Sequence, residues 1–392
     1  MLPRPKQFAY TPAHRNQVRL VRGGLEYFSL LAQLIEGAKI SIHLQVYIYH
    51  QDKTGLHIAS LLTQAAKRNV KVFVLVDGYA SQDLSDRFVQ ELREAGVYFR
   101  FFQPLFKGSS FYFGRRLHHK IVVADGSQAL VGGINISDHY NDLPGKPAWL
   151  DWALYAEGEV AGTLLQICRR RIKPERSKPY QPISPHCWPE NNCLIRVAVN
   201  DWVFGKREIT NSYLHMLRSA RSEVIIMSPY FMPGNDIRRH LSMARRRGVS
   251  IKLILTGISD VMISKYAERY MYQWLFKNGI EIYEYKKNVL HGKLAVYDQK
   301  WATVGSYNVN NISAYASVEL NLGVEDAMFA SQVTRMLHTM IADECEQITE
   351  EGYNHHQGLL KRLAQKIAYE VIRVLLYLFT FYFKQRTTPE SM

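Results

Sequence analysis

Residues 118–135 read His118-His119-Lys120-Ile121-Val122-Val123-Ala124-Asp125-Gly126-Ser127-Gln128-Ala129-Leu130-Val131-Gly132-Gly133-Ile134-Asn135. Residues 291–308 repeat the pattern as His291-Gly292-Lys293-Leu294-Ala295-Val296-Tyr297-Asp298-Gln299-Lys300-Trp301-Ala302-Thr303-Val304-Gly305-Ser306-Tyr307-Asn308. Each copy sets His-x-Lys before an apolar β-like run, an aspartate after it, and a glycine-centred turn ending in asparagine. A single imidazole cannot be both the attacking group and the proton donor of one phosphoryl transfer. Two imidazoles can divide those roles.

The repetition extends outward from the motifs. Residues 38–78 predict a strand (Ile40–Tyr49), a helix (Gly55–Lys67) and a strand (Val70–Val76) ending at Asp77-Gly78. Residues 220–257 predict the same with Glu223–Met227, Asp236–Arg247 and Val249–Leu255, ending at Thr256-Gly257. A further helix in each half closes on Ala95-Gly96 or Asn278-Gly279, and a short strand follows, Val97–Phe102 or Ile280–Tyr285. The shift between halves is 179 residues at Gly78/Gly257 and 173 at His118/His291, so the first half carries an insertion before its motif. Strand–helix–strand alternation predicts an α/β fold with parallel or mixed sheets and helices on their faces. Two homologous domains facing each other across a pseudo-two-fold axis would bring both motifs to one shared site. The expected division is 1–172, a linker over 173–190 with five prolines, a second domain over 191–352, and a tail over 353–392.

Bulk properties agree with two fused halves. At 392 residues the chain exceeds one ordinary core, and 47% hydrophobic with 21% charged residues is a globular composition. A net charge of +14 predicts attraction to a polyanion, either nucleic acid or an anionic bilayer. Cys168, Cys187, Cys193 and Cys345 form no C-x-x-C pair and read as idle thiols of a reducing compartment. The N-terminus lacks a signal-peptide core, and no run of about 20 apolar residues is present. A cytoplasmic location is expected.

In a strand, His118 and Lys120 point to one face, as do His291 and Lys293, so both pairs can converge on one phosphate. His119 points the other way and reads as packing. Lysine supplies positive charge to non-bridging oxygens and an asparagine amide can donate to them. The candidate catalytic set is His118, Lys120, Asp125, His291, Lys293 and Asp298, the aspartates orienting backbone or neighbouring side chains rather than attacking.

The paired strings resemble the HKD motifs of the phospholipase D superfamily, and the likeness extends to the bacterial cardiolipin synthases, in particular the shorter branch without N-terminal membrane helices. It is carried also by Asp77-Gly78-Tyr79, Arg115-Arg116-Leu117-His118, Tyr230-Phe231-Met232-Pro233-Gly234 and Leu290-His291-Gly292-Lys293. The resemblance implies two α/β sandwich domains and phosphatidyl transfer through a phosphohistidine, with no metal and no cofactor. It implies His118 as nucleophile, His291 as acid and base, and Lys120, Lys293, Asn135 and Asn308 around the phosphate. Asp151 and Glu319 match the family's downstream acidic positions and are candidate orienters of the imidazoles. Each acid could serve its own half's histidine or that of the opposite half. Gly133 stands where the second half has Ser306, which leaves the first half without that hydroxyl.

The superfamily includes nucleases, so the polyanion must be chosen. Residues 106–116 mix four aromatics with three cations beside His118, a composition suited to a headgroup boundary or to stacking on bases. In the tail, Leu359, Leu363, Ile367 and Val371 recur at helical spacing, and Val374–Phe383 carries no charge. Such a helix can lie in a bilayer interface, or it can pack on the protein or mediate a dimer. A soluble nuclease has no need of it. The expectation is therefore a peripheral enzyme on the cytoplasmic face of the inner membrane, with phosphatidylglycerol as substrate, an anionic phospholipid membrane as partner and no nucleic acid. The competing readings are a hydrolase acting on phospholipid or nucleic acid, and a non-catalytic membrane scaffold. Arginines 238, 239, 245, 246 and 247 share one predicted helix, and most such runs are solvated faces.

Overall fold

The computed structural model describes residues 10–104, 115–172, 193–310, 313, 317–355 and 357–384, with side chains through residue 375. The first half runs β1 (Asn16–Arg22), α1 (Leu25–Gly37), β2 (Ser41–Val46), α2 (Lys53–Lys67), β3 (Lys71–Asp77), α3 (Asp86–Glu94) and β4 (Tyr98–Phe102). It continues with β5 (Arg116–Leu117), β6 (Lys120–Ala124), β7 (Gln128–Gly132), β8 (Trp152–Gly158) and α4 (Glu159–Ile172). The second half runs β9 (Leu194–Asp201), β10 (Lys206–Arg207), α5 (Glu208–Ser219), β11 (Glu223–Met227), α6 (Asn235–Arg246), β12 (Ser250–Ile258) and α7 (Met262–Lys277). Then come β13 (Glu281–Val289), β14 (Leu294–Tyr297), β15 (Trp301–Gly305), β16 (Ser317–Glu325), α8 (Ala327–Glu344), β17 (Cys345–Ile348), α9 (Glu350–His355) and α10 (Leu359–Lys384).

The two halves are built alike. The first sheet has the order β1-β8-β7-β6-β2-β3-β4 and the second repeats it as β9-β16-β15-β14-β11-β12-β13, with β10 and β17 added at its edges. In each, three strands joined through helices are parallel (β2, β3, β4; β11, β12, β13) and the hairpin-linked strands are antiparallel. Parallel neighbours need a crossover, and amphipathic α2, α3, α6 and α7 supply it. Capping sets the helix starts where the sequence provides it: Asp52 accepts from Gly55 N ahead of α2, and Ser85 from Phe88 N ahead of α3.

Side-chain alternation explains why the strands after the histidines are apolar throughout. Ile121 and Val123 of β6, with Ala129 and Val131 of β7, enter one core together with Leu294, Val296, Ala302 and Val304 from the opposite half. Val122, Ala124 and Leu130 face outward into a second core under α1, α2 and α3, and Ala295 does the same under α5 to α7. Both faces of these strands are buried, so no polar alternation survives in sequence. The inner faces, with α4 and α8 at their margins, form one core shared by the halves. Cys168 and Cys193 are buried in it as free thiols.

Two expectations shift. The strand expected over Ile40–Tyr49 ends at Val46, and the chain bends at Tyr47 toward the histidines. His118 and His119 lie between β5 and β6, and His291 lies between β13 and β14, so only Lys120 of these is on a regular strand. The 173–190 linker and residues 106–114 of the insertion lie outside the described residues.

Candidate active site

The motifs meet across the interface between halves. β5 pairs in parallel with β16 of the opposite half, and both His118 N and His119 N donate to Val318 O, at 3.0 and 3.1 Å. The pseudo-symmetric partner of this contact is Leu150 O, which accepts from His291 N at 2.7 Å and Gly292 N at 2.9 Å. The residues after those two carbonyls are Glu319 and Asp151. Each histidine is thus docked on the strand that carries the other half's acid.

The consequence is an exchange of acids. His118 Nδ1 lies 3.0 Å from Glu319 Oε2, and His291 Nδ1 lies 2.6 Å from Asp151 Oδ2. An acid at Nδ1 fixes the tautomer and leaves Nε2 as the reacting atom. Of the two arrangements that the sequence left open, the structure has the crossed one.

The two acids are not equivalent. Burial would raise the Glu319 carboxyl, but His118 beside it and the Ser306 hydroxyl hold it below the usual range. Burial dominates at Asp151 and pushes it up to about 6, against the pull of Lys293 and a hydrogen bond from Trp152 N. Burial also lowers both histidines. At His118 Glu319 opposes it, and at His291 Lys293 and Lys120 reinforce it.

Sequence explains the mismatch. Gly133 and Ser306 occupy equivalent positions, each donating its backbone N–H at 3.2 Å to the strand bearing the acid, Trp152 O or Leu320 O. A Cβ at Gly133 would lie 2.4 Å from Asp151 Oδ1 and 2.5 Å from Oδ2. The shorter aspartate carries its carboxylate where the serine would be, while the longer glutamate reaches past Ser306 and is bonded by it. The missing hydroxyl therefore concerns the acid, not a phosphate contact.

The lysines are buried beside their histidines, Lys120 Nζ donating to His118 O at 2.5 Å and Lys293 Nζ donating to His291 O and lying 2.9 Å from His291 Nδ1. Burial first, then Lys293, pushes Lys120 down to about 7, and burial brings Lys293 to about 8. Two ammonium groups held in low dielectric repel each other until an anion arrives. The site is built for one.

The asparagines differ. Asn135 is engaged, accepting from Ile48 N at 3.0 Å and donating to Tyr140 OH at 2.9 Å. Asn308 has a buried side-chain oxygen without a hydrogen-bond partner among the described residues. Since amide oxygen and nitrogen are assigned from partners, this end is equally the NH2 that an anion would take up. His119, as expected, points away and binds Gln45 Oε1 at 2.9 Å.

Asp125 and Asp298 leave the catalytic set. Each lies beyond a strand from its lysine, roughly 16 Å away for the five-residue rise from Lys120 to Asp125. Asp125 accepts from Lys39 N, Ile40 N and Ser41 N at 2.7–2.9 Å, and Asp298 from Arg221 N, Ser222 N and Glu223 N over the same range. Both sit at positive φ, 53° and 48°. They tie the entry of β2 and β11 to the end of the motif strand, the orienting of backbone that the sequence suggested.

Arg115 and Arg116, counted among the insertion's cations, are also structural. Arg115 forms a two-pronged pair with Asp201 of the second half, and Arg116 approaches Asp77, whose other oxygen takes Leu117 N at 2.8 Å. Sequence reasoning missed the aromatic wall. Tyr47 contacts His118 edge-on at 4.8 Å, and Tyr140, Trp149 and Tyr230 surround His291 at 5.2, 6.2 and 6.5 Å between ring centres. Tyr230 OH donates to Asp260 at 2.6 Å. Tyr230 was in a quoted motif; Tyr47, Tyr140 and Asp260 carry no local pattern.

The sequence profile of the family described as "Cardiolipin synthase, PLD-like domain" matches residues 31–143 and 213–341. Cardiolipin synthase B of Salmonella typhi is 38% identical over 86% of this chain and 83% of that protein, and the Escherichia coli K12 protein is 37% identical over the same shares. Cardiolipin synthase 1 of Bacillus anthracis is 30% identical over 90% of this chain and 71% of its own. The crystal structure of phosphatidylserine synthase from Haemophilus influenzae Rd KW20 shares the fold, with a TM-score of 0.72 at 15% identity, over 93% of this chain and 95% of that one. The chain belongs to the cardiolipin synthase family of phospholipase D-like proteins.

Proposed function

We propose that this protein transfers a phosphatidyl group from one phosphatidylglycerol to the glycerol hydroxyl of another, giving cardiolipin and glycerol. The crossed His–acid pairs carry the reading, because they prepare two imidazoles for complementary work at one anion site. His118 Nε2 attacks phosphorus, a P–N bond forms, and the P–O bond to glycerol breaks as His291 protonates the departing oxygen. His291 then takes the proton of the second lipid's hydroxyl, which attacks phosphorus and releases His118. Glu319, held ionised, makes His118 the more electron-rich imidazole and balances the charge of its phosphorylated form, which supports the assignment of His118 as nucleophile. Lys120, Lys293 and the Asn308 amide neutralise the non-bridging oxygens.

The enzyme works as a peripheral protein on the cytoplasmic face of the inner membrane. No described helix is long and apolar enough to cross a membrane. α10 packs on α7 through Ala368, Tyr369 and Ile372, with Tyr369 against Tyr270 at 4.9 Å, while Gln365 accepts from Tyr353 OH of α9 at 3.0 Å. Leu359, Leu360, Leu363, Ile367 and Val371 recur on another face and stay exposed, the first two at 87% and 84%. The packing and membrane readings of the tail thus concern different faces of one helix. An exposed apolar stripe flanked by Lys366 and Arg373 suits an anionic interface. Phosphatidylglycerol vesicles incubated with the protein should yield cardiolipin. Phosphatidic acid alone would indicate hydrolysis, and cleavage of single-stranded DNA a nuclease. Leu363→Gln with Ile367→Gln, both at exposed positions, should release the protein from such vesicles without lowering its melting temperature; unchanged binding would refute the role of the stripe.

A further inference from the structure

The five arginines of α6 separate into two groups. Arg245 donates to Val249 O at 2.6 Å in the turn after α6, and Arg247 donates to Leu217 O at 2.6 Å at the C-terminal end of α5, so both are occupied with backbone carbonyls. Arg238, Arg239 and Arg246 form no ion pair among the described residues, and the nearby Asp236 is drawn to Arg207 at 3.8 Å. These three, with Asn235, Ser242 and Trp274, line an open, shallow depression of about 350 Å³ on the surface of α6, where Arg239 and Arg246 are exposed. Positions 235, 239 and 238, 242, 246 follow the four-residue rows of a helix, so one face of α6 gathers the donors. The Arg238 guanidinium stacks 4.7 Å above the Trp274 ring, which fixes its plane and leaves its N–H groups for a ligand. The depression adjoins a half-open groove of about 530 Å³ that shares Arg238 and Trp274 and is lined further by Lys277, Arg362, Gln365 and Tyr369. None of these residues belongs to the phosphoryl-transfer centre.

We propose that this α6–α7 pocket is a second anion site that takes the phosphate of an anionic phospholipid headgroup. Three guanidinium groups without an ion pair among the described residues, gathered on one face of α6, match a phosphodiester by charge and by paired N–H donors. The neighbouring α10 shows an apolar stripe on a face adjacent to its Arg362 and Arg373, which places acyl chains and headgroup on the same side of the molecule. The site holds a lipid beside the enzyme without presenting it to the histidines. The choice of a lipid over a free phosphate rests on the lipid-transfer reading; the anion chemistry does not.

The test uses the full-length protein, its Trp274→Phe variant and the charge-preserving Arg239→Lys/Arg246→Lys variant. Tryptophan emission is titrated with phosphatidylcholine vesicles containing or lacking phosphatidylglycerol, and separately with inorganic phosphate. The signal is the part of the emission change that Trp274→Phe removes, because Trp149 beside His291 also responds to substrate; it should need phosphatidylglycerol and shift about tenfold to weaker binding in the double lysine variant, since lysine lacks the bidentate fork. Saturation by inorganic phosphate alone would keep the anion site and overturn the lipid source. An unchanged titration in the double lysine variant would overturn the pocket, because diffuse attraction by net charge predicts no difference. Cardiolipin formed from the same vesicles is measured in parallel. A failed titration with cardiolipin still produced condemns the pocket alone.

Discussion

Gly133→Ser tests the claim that acid length and turn residue are matched within each half. The serine Cβ would lie 2.4, 2.5 and 2.8 Å from the two oxygens and Cγ of Asp151, and that carboxylate has nowhere simple to go. It is fully buried, takes Trp152 N at 2.7 Å, and sits 2.6 Å from His291 Nδ1. The carboxylate must give way by roughly 0.6–1 Å to reach ordinary contact, an overpacking cost of about 1–3 kcal/mol at the least. For a domain of this size that lowers the melting temperature by roughly 2–4 °C per kcal/mol. Activity should suffer more than stability, because the movement breaks the contact that sets the His291 tautomer; a loss of about 10²–10⁴-fold is expected. The double variant Gly133→Ser/Asp151→Glu copies the opposite half's pairing of Ser306 with Glu319, and should recover part of both losses with a coupling of roughly 0.5–3 kcal/mol. Thermal melts and cardiolipin formation from phosphatidylglycerol vesicles give the four corners of the cycle. If Gly133→Ser melts and turns over like the parent, or if the two changes simply add, the matched-pair reasoning is wrong.

Glu319→Gln should shift the imidazole 15N resonances of His118 and leave those of His291 nearly in place, with Asp151→Asn doing the reverse; the opposite assignment would refute the exchange of acids. Asp125→Ala strands three backbone donors and should cost about 1–3 kcal/mol in denaturant unfolding, with turnover per folded molecule unchanged; a large fall in kcat at unchanged stability would return Asp125 to the chemistry. Lys120 and Lys293 are lowered to about 7 and about 8, so the folded protein binds fewer protons than the unfolded chain between those values and about 10.5. Their contribution to stability should therefore rise with pH across that window, by up to about 1.4 kcal/mol per unit for each, and fall away in Lys120→Met/Lys293→Met. Over the same range affinity for inorganic phosphate should weaken as pH rises, since deprotonation removes the charge that holds it; a flat profile would show the lysines to be ordinary.

Local pattern revealed one kind of information and concealed another. His118, Lys120, His291 and Lys293 stand out in sequence because a repeat compares each half with the other, whereas Asp151 and Glu319 are reached only through the family resemblance. The exchange of acids could not, because it depends on which strand docks beside β5, a contact spanning 201 residues for His118 and Glu319. Tyr47 and Tyr140 were invisible for a different reason: a tyrosine in an apolar run looks like core until its ring is seen against an imidazole. The arginines of α6 were read as one charge run, yet Arg245 binds a carbonyl of the turn after the helix and Arg247 one at the end of α5, leaving the other three along an open surface depression. Sequence counts cations; it does not show which are already occupied.

The difference between the halves bears on why both must be present. In either half alone, the histidine faces an interface where its acid should be, because Asp151 serves His291 and Glu319 serves His118. Two copies of the first half could restore the geometry only by pairing His118 with Asp151. That carboxylate lacks the serine bond that Glu319 receives and is pushed by burial toward the neutral form, so it would be a poorer counter-charge for a phosphorylated histidine. Two copies of the second half would pair His291 with Glu319 and lose the Tyr140 and Trp149 wall. Strand order is duplicated, but the acids, the turn residues and the aromatics have been divided between the copies. Such division gives the two imidazoles different environments before substrate arrives, so the complementary roles are biased by the protein as well as by the orientation of the lipid.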